Sequence, residues 1–308
     1  MKKRLCVLLC LLTPLLLTTA CAIRGGSPKE STPSAPSSAI PEINVWVTGI
    51  GAIIRMDMES YVAGVVAGEM PSDWPMEALK AQAILARTYV LKFITEKESR
   101  YPGADISTDI AEAQAYNADA VDSRILTAVH QTRGIILLAD DGSLPYTWFH
   151  AHSGGMTALA TESLDWRGEE PAHTRVTAGL EPDDAAWSAE FTQEEFLAAC
   201  RDAGYAVSSC QQVNVGETGP SGRAVTLNVD GTEVNAARLR ISLGSSRMRS
   251  TLLTALTSAD GVIRMAGRGY GHGVGLSQWG ARALAEDGKS AEEIALHYYS
   301  GLQTALAW

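Results

Sequence analysis

The sequence predicts an α+β fold built of mixed helices and antiparallel hairpins. Three observations carry this. Apolar residues recur at helical spacing over 57–70 and again over 75–97. Val225, Leu227 and Val229 alternate with polar neighbours ahead of Asp230-Gly231, a pair suited to a two-residue hairpin turn. No strand–helix–strand rhythm links these segments, which argues against a parallel α/β sheet.

Taken in order, residues 1–21 read as an address rather than as part of the fold. Lys2, Lys3 and Arg4 precede an almost wholly apolar run, the layout of a secretory signal or membrane anchor. Cys21 follows the small residues Thr18, Thr19 and Ala20, as at a lipoprotein processing site, although Thr stands three residues before it. Lipid anchoring at Cys21, an uncleaved N-terminal anchor, and cleavage with release all place the body outside the cytoplasm. Residues 22–42 are a Ser/Pro/Gly-rich tether, so the folded unit is expected over 43–308.

Ile43, Val45 and Val47 alternate as in a strand. The first helix covers 57–70, with Asp57 as N-cap and Pro71 as its stop. Met58, Tyr61, Val62, Val65, Val66 and Glu69 share one stripe of it. A longer helix is expected from Pro75 to Lys97, its buried face formed by Leu79, Ala83, Ala86, Val90 and Ile94 and flanked by Gln82 and Arg87. Ile135–Leu138 reads as a buried strand and 192–201 as a short helix. Gln278–Glu286 reads as a helix ended by Gly288. Ser290 and Glu293 form a capping box for a last helix that Gly301 would end.

The 308 residues carry a formal net charge of −10, and removing the three leading positive charges leaves −13 on the remainder. An acidic body argues against a nucleic-acid binder held by phosphate contacts. Of the five cysteines only Cys200 and Cys210 lie in the body. In an exported chain they either close a small disulfide loop or remain buried thiols.

Three stretches could carry chemistry. Glu69 falls in the middle of an apolar stripe at a helix C-terminus. Desolvation and the negative end of the helix dipole would both raise its pKa, as a general acid requires. Otherwise the stripe overruns the core and Glu69 is an exposed carboxylate. Second, His150 and His152 would share one side of a strand and could ligate a metal, but local spacing offers no third ligand. Third, glycine occupies every second position from Gly267 to Gly275. Extended, this segment would bare one backbone face to a ligand or to another backbone, with Arg268, Tyr270, His272 and Val274 on the other. No Gly-Lys-Ser/Thr follows and no preceding strand opens a dinucleotide fold, which excludes a nucleotide loop. Trp279, next to Ser277 and Gln278, would suit a sugar ring or the core.

Together these stretches resemble the stage II sporulation protein D family. Tyr61–Tyr89 is similar to its N-terminal signature and Gly267–Tyr299 to its C-terminal signature. Gln114-Ala115-Tyr116, Thr132-Arg133-Gly134 and Ser153-Gly154-Gly155 with Thr157 match positions between them. The resemblance implies a catalytic unit with a substrate cleft, of one or two subdomains. It implies a peptidoglycan lytic transglycosylase that cuts glycan strands stripped of stem peptides during sporulation and engulfment, with an amidase as partner. It assigns catalysis to Glu69, and cleft-lining or bracing positions to Gln82, Arg87, Ser153, Tyr270, His272, Ser277 and Gln278. No cofactor and no metal are expected. Some members of the family bind zinc through His and Cys near the Ser-Gly-Gly segment, and this chain has no cysteine there. Alternatives are a non-catalytic amidase enhancer, a wall-binding module, and a zinc hydrolase built on His150, His152 and His272.

Overall fold

A computed structural model describes residues 39–308 of the chain. The expected export segment, Cys21 and most of the tether lie outside the described residues. The chain enters as β1 (Glu42–Val47) and turns back as β2 (Ala52–Asp57), an antiparallel pair in which Ile43 faces Met56 and Val45 faces Ile54. Asp57 then caps α1 (Met58–Glu69), its carboxylate accepting from the Ser60 N–H at 2.9 Å. Pro71 follows the extended C-cap Met70, as the sequence predicts. Tyr61, Val62, Val65 and Val66 are fully buried.

α2 (Met76–Glu96) begins one residue later than expected, with Pro75 outside as the N-cap. It is buried nearly all round, because it packs against α1 and three later helices. Gln82 and Arg87 therefore do not flank a buried face; both are fully buried. A charged side chain survives there only if it is paired. Arg87 donates to both carboxylate oxygens of Glu59, at 3.1 and 2.6 Å, and to the Ile135 carbonyl at 2.8 Å. β3 (Ile106–Ser107) runs parallel to β1. α3 (Ser123–Gln131) leads through Gly134 into β4 (Ile135–Ala139), the expected buried strand.

After β5 (Phe149–His150) and the single turn α4 (Ala160–Ser163) the chain builds a second body. It consists of β6 (Trp187–Thr192), α5 (Gln193–Asp202), β7 (Val213–Val215), β8 (Thr226–Val229), β9 (Thr232–Asn235), α6 (Ala236–Ser242), β10 (Leu253–Ala259) and β11 (Val262–Gly267). Two antiparallel sheets result, ordered β10-β11-β6 and β7-β8-β9. Asp230 and Gly231, both at positive φ (45° and 90°), make the expected hairpin turn between β8 and β9.

The chain then returns through β12 (Leu276–Ser277), parallel to β5, into α7 (Gln278–Glu286) and α8 (Ala291–His297). The Ser290/Glu293 capping box forms as read. Gly301 does not end α8. It sits four residues beyond, at φ 61°, and turns the chain into β13 (Leu302–Leu306), a strand the sequence reading lacked. β13 completes an antiparallel pair with β4, so its meaning depends on a partner some 165 residues earlier and no local pattern reveals it.

Two large hydrophobic cores follow from this order, beside a small cluster of Ala158, Ala160 and Val274. The first joins α1, α2 and α3 to the returning α7 and α8. The second lies among β6–β11, α5 and α6, with Phe191, Phe196, Leu227, Val229 and Leu239 at its centre. Cys200 and Cys210 belong to this second core as free, buried thiols, not as a disulfide. The fold is thus α+β, with helices and small, mostly antiparallel sheets.

Candidate functional site

Glu69 sits at the last turn of α1, beside a cavity of about 750 Å³. The stripe brings it there, and two glycines of the same helix decide its surroundings. A Cβ on Gly64 would lie 2.2 Å from the Tyr116 ring, and one on Gly68 would lie 2.7 Å from the Tyr116 nitrogen. Without those side chains the 113–117 segment lies directly on the helix. The Asn117 N–H reaches the Gly64 carbonyl at 2.9 Å, and the Ala115 N–H donates to Glu69 Oε1 at 2.8 Å. From the other side Gln278 Nε2 donates to Oε2 at 2.9 Å.

Burial raises the Glu69 pKa above the ordinary carboxyl value, and the two donated hydrogen bonds lower it without overcoming burial. No cation contributes. The site therefore favours the acid, while holding donors ready for the carboxylate. Gln278 suits both states: its NH₂ group can face the carboxylate, and the amide oxygen can accept from the acid. Glu69 is the one carboxyl among the described residues that line this cavity.

Tyr270, His272 and Gln278 line the same cavity. Gln82, Arg87, Ser153 and Ser277 do not. Arg87 is the buried partner of Glu59. Ser153 and Ser277 converge instead on Glu181, whose Oε1 accepts from the Ser153 N–H at 2.6 Å and from the Ser277 hydroxyl at 2.5 Å. Burial opposes ionisation of Glu181, but the bonds from Ser277 and Ser153 outweigh it and lower its pKa. It is a carboxylate that ties the segment after β5 to the start of α7, outside the lining of the cavity. Ser277 also caps α7, which aims Gln278.

The two histidines do not share a strand side. β5 ends at His150, whose Nδ1–H donates to the Val274 carbonyl at 3.2 Å and whose ring lies 5.6 Å from that of His272. His152 turns instead toward Asp183, whose carboxylate is 3.2 Å from its Nε2. Burial, with positive Arg240 and Arg223 nearby, lowers the His272 pKa to about 3, and burial pushes His150 well down. Both rings are neutral near neutral pH. Among the described residues no cluster of three or more His, Cys, Asp and Glu is placed to hold a metal ion.

The glycine track is not a strand. β11 stops at Gly267, and Gly269, Gly271, Gly273 and Gly275 all adopt positive φ. A Cβ on Gly275 would lie 2.0 Å from the Trp148 carbonyl, and one on Gly269 2.7 Å from the His152 carbonyl. The bare backbone packs on the 148–154 segment, so the close approach is to another backbone. Tyr270 is exposed, His272 half-buried and Val274 buried, so these residues do not present one common face. Trp279 packs edge-on against Trp74 outside the cavity, with Arg282 over both rings.

Several lining residues were not singled out as site residues from sequence: Tyr89, Gln114, Trp148 and Arg240. Gln114 is buried with no partner on either amide atom among the described residues. Arg240 had a readable signal. Ala236, Leu239, Arg240 and Leu243 fall at i, i+3, i+4 and i+7, which sets an arginine on the inward face of α6.

Comparison with known proteins divides the chain as the two cores do. A family described as "Stage II sporulation protein" matches residues 47–138. A family described as a domain of unknown function matches 182–275. The chain is 29% identical over 309 residues to stage II sporulation protein D of Bacillus subtilis (strain 168), covering 94% of this chain and 85% of that protein. The chain belongs to the stage II sporulation protein D family. It is also 32% identical over 255 residues to an uncharacterized protein of Brachyspira hyodysenteriae, covering 80% of this chain and 66% of that one, just under two thirds of its length. An amidase enhancer of B. subtilis is 26% identical over 287 residues, 77% of this chain and 39% of the enhancer. The stage II sporulation protein match contains Glu69, Tyr89 and Gln114, whereas Arg240, Tyr270 and His272 fall in the second match. The cavity is lined from both.

Proposed function

We propose that this protein is a peptidoglycan lytic transglycosylase acting in sporulation, with Glu69 as its single acid and base. The observation that carries this reading is the lone carboxyl of the cavity, favoured as an acid by burial and provided with two donors for its anion. A hydrolase of the usual kind needs a second carboxyl to activate water or to form a covalent intermediate. A transglycosylase needs one. Glu69 protonates the glycosidic oxygen between N-acetylmuramic acid and the next sugar, and the C1–O bond breaks as positive charge develops at C1. The muramyl 6-hydroxyl attacks C1, and its proton passes to the Glu69 carboxylate, which restores the acid. The products are a 1,6-anhydro-muramyl end and a free hydroxyl on the leaving sugar. The Ala115 N–H and the Gln278 amide stabilise the carboxylate midway.

The substrate is glycan freed of stem peptides by an amidase, and the chain acts outside the cytoplasm, held at the membrane through its N-terminus, during engulfment. Digestion of peptide-free strands by wild type and Glu69→Gln, read by mass spectrometry, tests the chemistry. Anhydro-muramyl ends from wild type alone support it, and reducing ends would show a hydrolase instead. A second reading, a non-catalytic amidase enhancer or wall-binding module, is favoured by the likeness to the B. subtilis amidase enhancer. It predicts binding without cleavage by either form.

A further inference from the structure

The cavity has a charged feature that the acid–base chemistry does not use. Arg240 lies on α6 with 8% of its surface exposed, and it lines the Glu69 cavity as well as a neighbouring one of about 430 Å³. Its Nε–H donates to the Arg249 carbonyl at 3.0 Å. Among the described residues its two terminal nitrogens have no hydrogen-bond partner, and no carboxylate pairs with it. The contrast within the molecule is sharp. Arg87, fully buried, is held by both oxygens of Glu59. Arg223, also buried, donates to the Met156 and Ser153 carbonyls. On the same helix, half-buried Arg238 is paired with Asp165 at 2.5 Å.

A buried cation left without an anion is costly. Burial lowers the Arg240 pKa to about 10, which leaves it charged near neutral pH. A second guanidinium, that of exposed Arg249, stands 5.6 Å from the centre of the Tyr270 ring, and among the described residues it too lacks an acidic partner. In a chain of net charge −10, Arg240 therefore brings an unpaired positive charge to the cavity, Arg249 stands behind the lining residue Tyr270, and the one carboxyl among the described lining residues is Glu69.

We propose that Arg240 is an anion subsite that takes the lactyl carboxylate of a muramyl sugar. This rests on the glycan reading above and deepens it. The lactyl group is the one anionic substituent of that sugar. It is a carboxylate only when no peptide is attached, because a stem peptide converts it to an amide. A guanidinium with two free terminal nitrogens matches a carboxylate bidentately, and a desolvated pair of that kind is strong. Arg240 thereby reads peptide-free glycan by its charge and holds it in the cavity that Glu69 also lines.

The test uses the full-length protein carrying Glu69→Gln, so that binding is measured without cleavage, and three glycans. These are peptide-free strands, the same strands with the lactyl carboxyl capped as a methylamide, and strands retaining their peptides. Titration calorimetry should show that capping weakens binding at least tenfold. Adding Arg240→Gln should weaken peptide-free strands to the same level and reduce the effect of capping to twofold or less. Adding Arg240→Lys should restore part of the sensitivity, and Arg238→Gln should leave it intact. Equal affinity for capped and uncapped strands overturns the proposal, as does an undiminished effect of capping without Arg240, or no binding of uncapped strands. Exclusion of peptide-bearing strands while capped strands bind normally would place the discrimination in peptide bulk and also overturn it. If wild type leaves strands uncut yet binds them with capping sensitivity, the transglycosylase reading fails and the subsite stands.

Discussion

The wall that carries Glu69 and the wall that carries Arg240 are built on opposite plans. The first is two long helices, α1 and α2, buried almost all round, with a glycine notch at Gly64 and Gly68 that admits the backbone donor for Glu69. Its buried charge, Arg87, is fully neutralised by Glu59. The second is short strands, turns and two short helices, α5 and α6, around a separate core. Of its buried charges, Arg223 is held by backbone carbonyls, and Arg240 has no anionic partner among the described residues. The helical wall spends its polar groups on one another and on tuning one acid. The strand-rich wall leaves the terminal nitrogens of Arg240 without a hydrogen-bond partner among the described residues, which the proposed subsite would fill. On the proposed function, rigid, satisfied structure positions the acid and unsatisfied structure faces the glycan.

The largest effect expected from this contrast is at Glu69. Glu69→Gln should reduce cleavage of peptide-free strands about 10⁴-fold, the upper end of what one positioned acid contributes. Because the acid form is required, wild-type activity should fall as pH rises through its raised pKa. Stability should move the opposite way on mutation. A carboxyl whose folded pKa exceeds the ordinary 4.5 contributes stability that is fully present below that value and lost as pH rises through the folded pKa. Gln carries no such loss. The Tm of Glu69→Gln should therefore exceed that of wild type near neutral pH, with the gap widening upward from about pH 4.5. A gap that is flat with pH would show that Glu69 is not held as an acid.

Next in size is the pairing that the helical wall depends on. Arg87→Leu leaves the largely enclosed Glu59 without its cation and should cost about 3 kcal/mol by urea denaturation. Adding Glu59→Gln should recover part of it. An effect below 1 kcal/mol would mean that the helical wall does not rely on neutralised charge.

A smaller effect tests the glycine notch. Gly68→Ala must push the Ala115 segment outward, since the added Cβ would meet its carbonyl carbon at 2.8 Å. The rate should drop roughly tenfold, as misplacement by a fraction of an ångström does elsewhere. Loss of the Ala115 donor removes an influence that lowers the Glu69 pKa, so the alkaline limb of the pH–rate profile should move to higher pH. A lower rate with an unmoved limb would reduce Gly68 to a packing role.

The smallest expectation is none at all. Cys200 and Cys210 in the strand-rich core are free thiols, and burial raises the Cys200 thiol to about 11. A reductant should leave the Tm unchanged, and both thiols should be alkylated after unfolding without prior reduction. A Tm that falls on reduction would show that the second core is stapled.

The sequence by itself determined the helical wall and its acid. Apolar spacing, the Asp57 cap and the Pro71 stop are local properties of the chain, and helices are local structures, so α1, α2, α7 and the capping box of α8 were legible. Glu69 was legible for the same reason, as a carboxyl out of place on an apolar stripe. Only the tertiary structure decided what surrounds it. Ala115 and Gln278, its hydrogen-bond partners, lie 46 and 209 residues away. The short segments around the cavity follow the same rule. β5 and β12 are two residues each and exist because they pair, β13 exists because β4 does, and the glycine track bends because the 148–154 segment needs its bare backbone. Whether a buried arginine is neutralised or left free is also set across the fold. Arg87 and Arg240 both occupy inward helix positions, and only packing gives the first a carboxylate and the second a cavity.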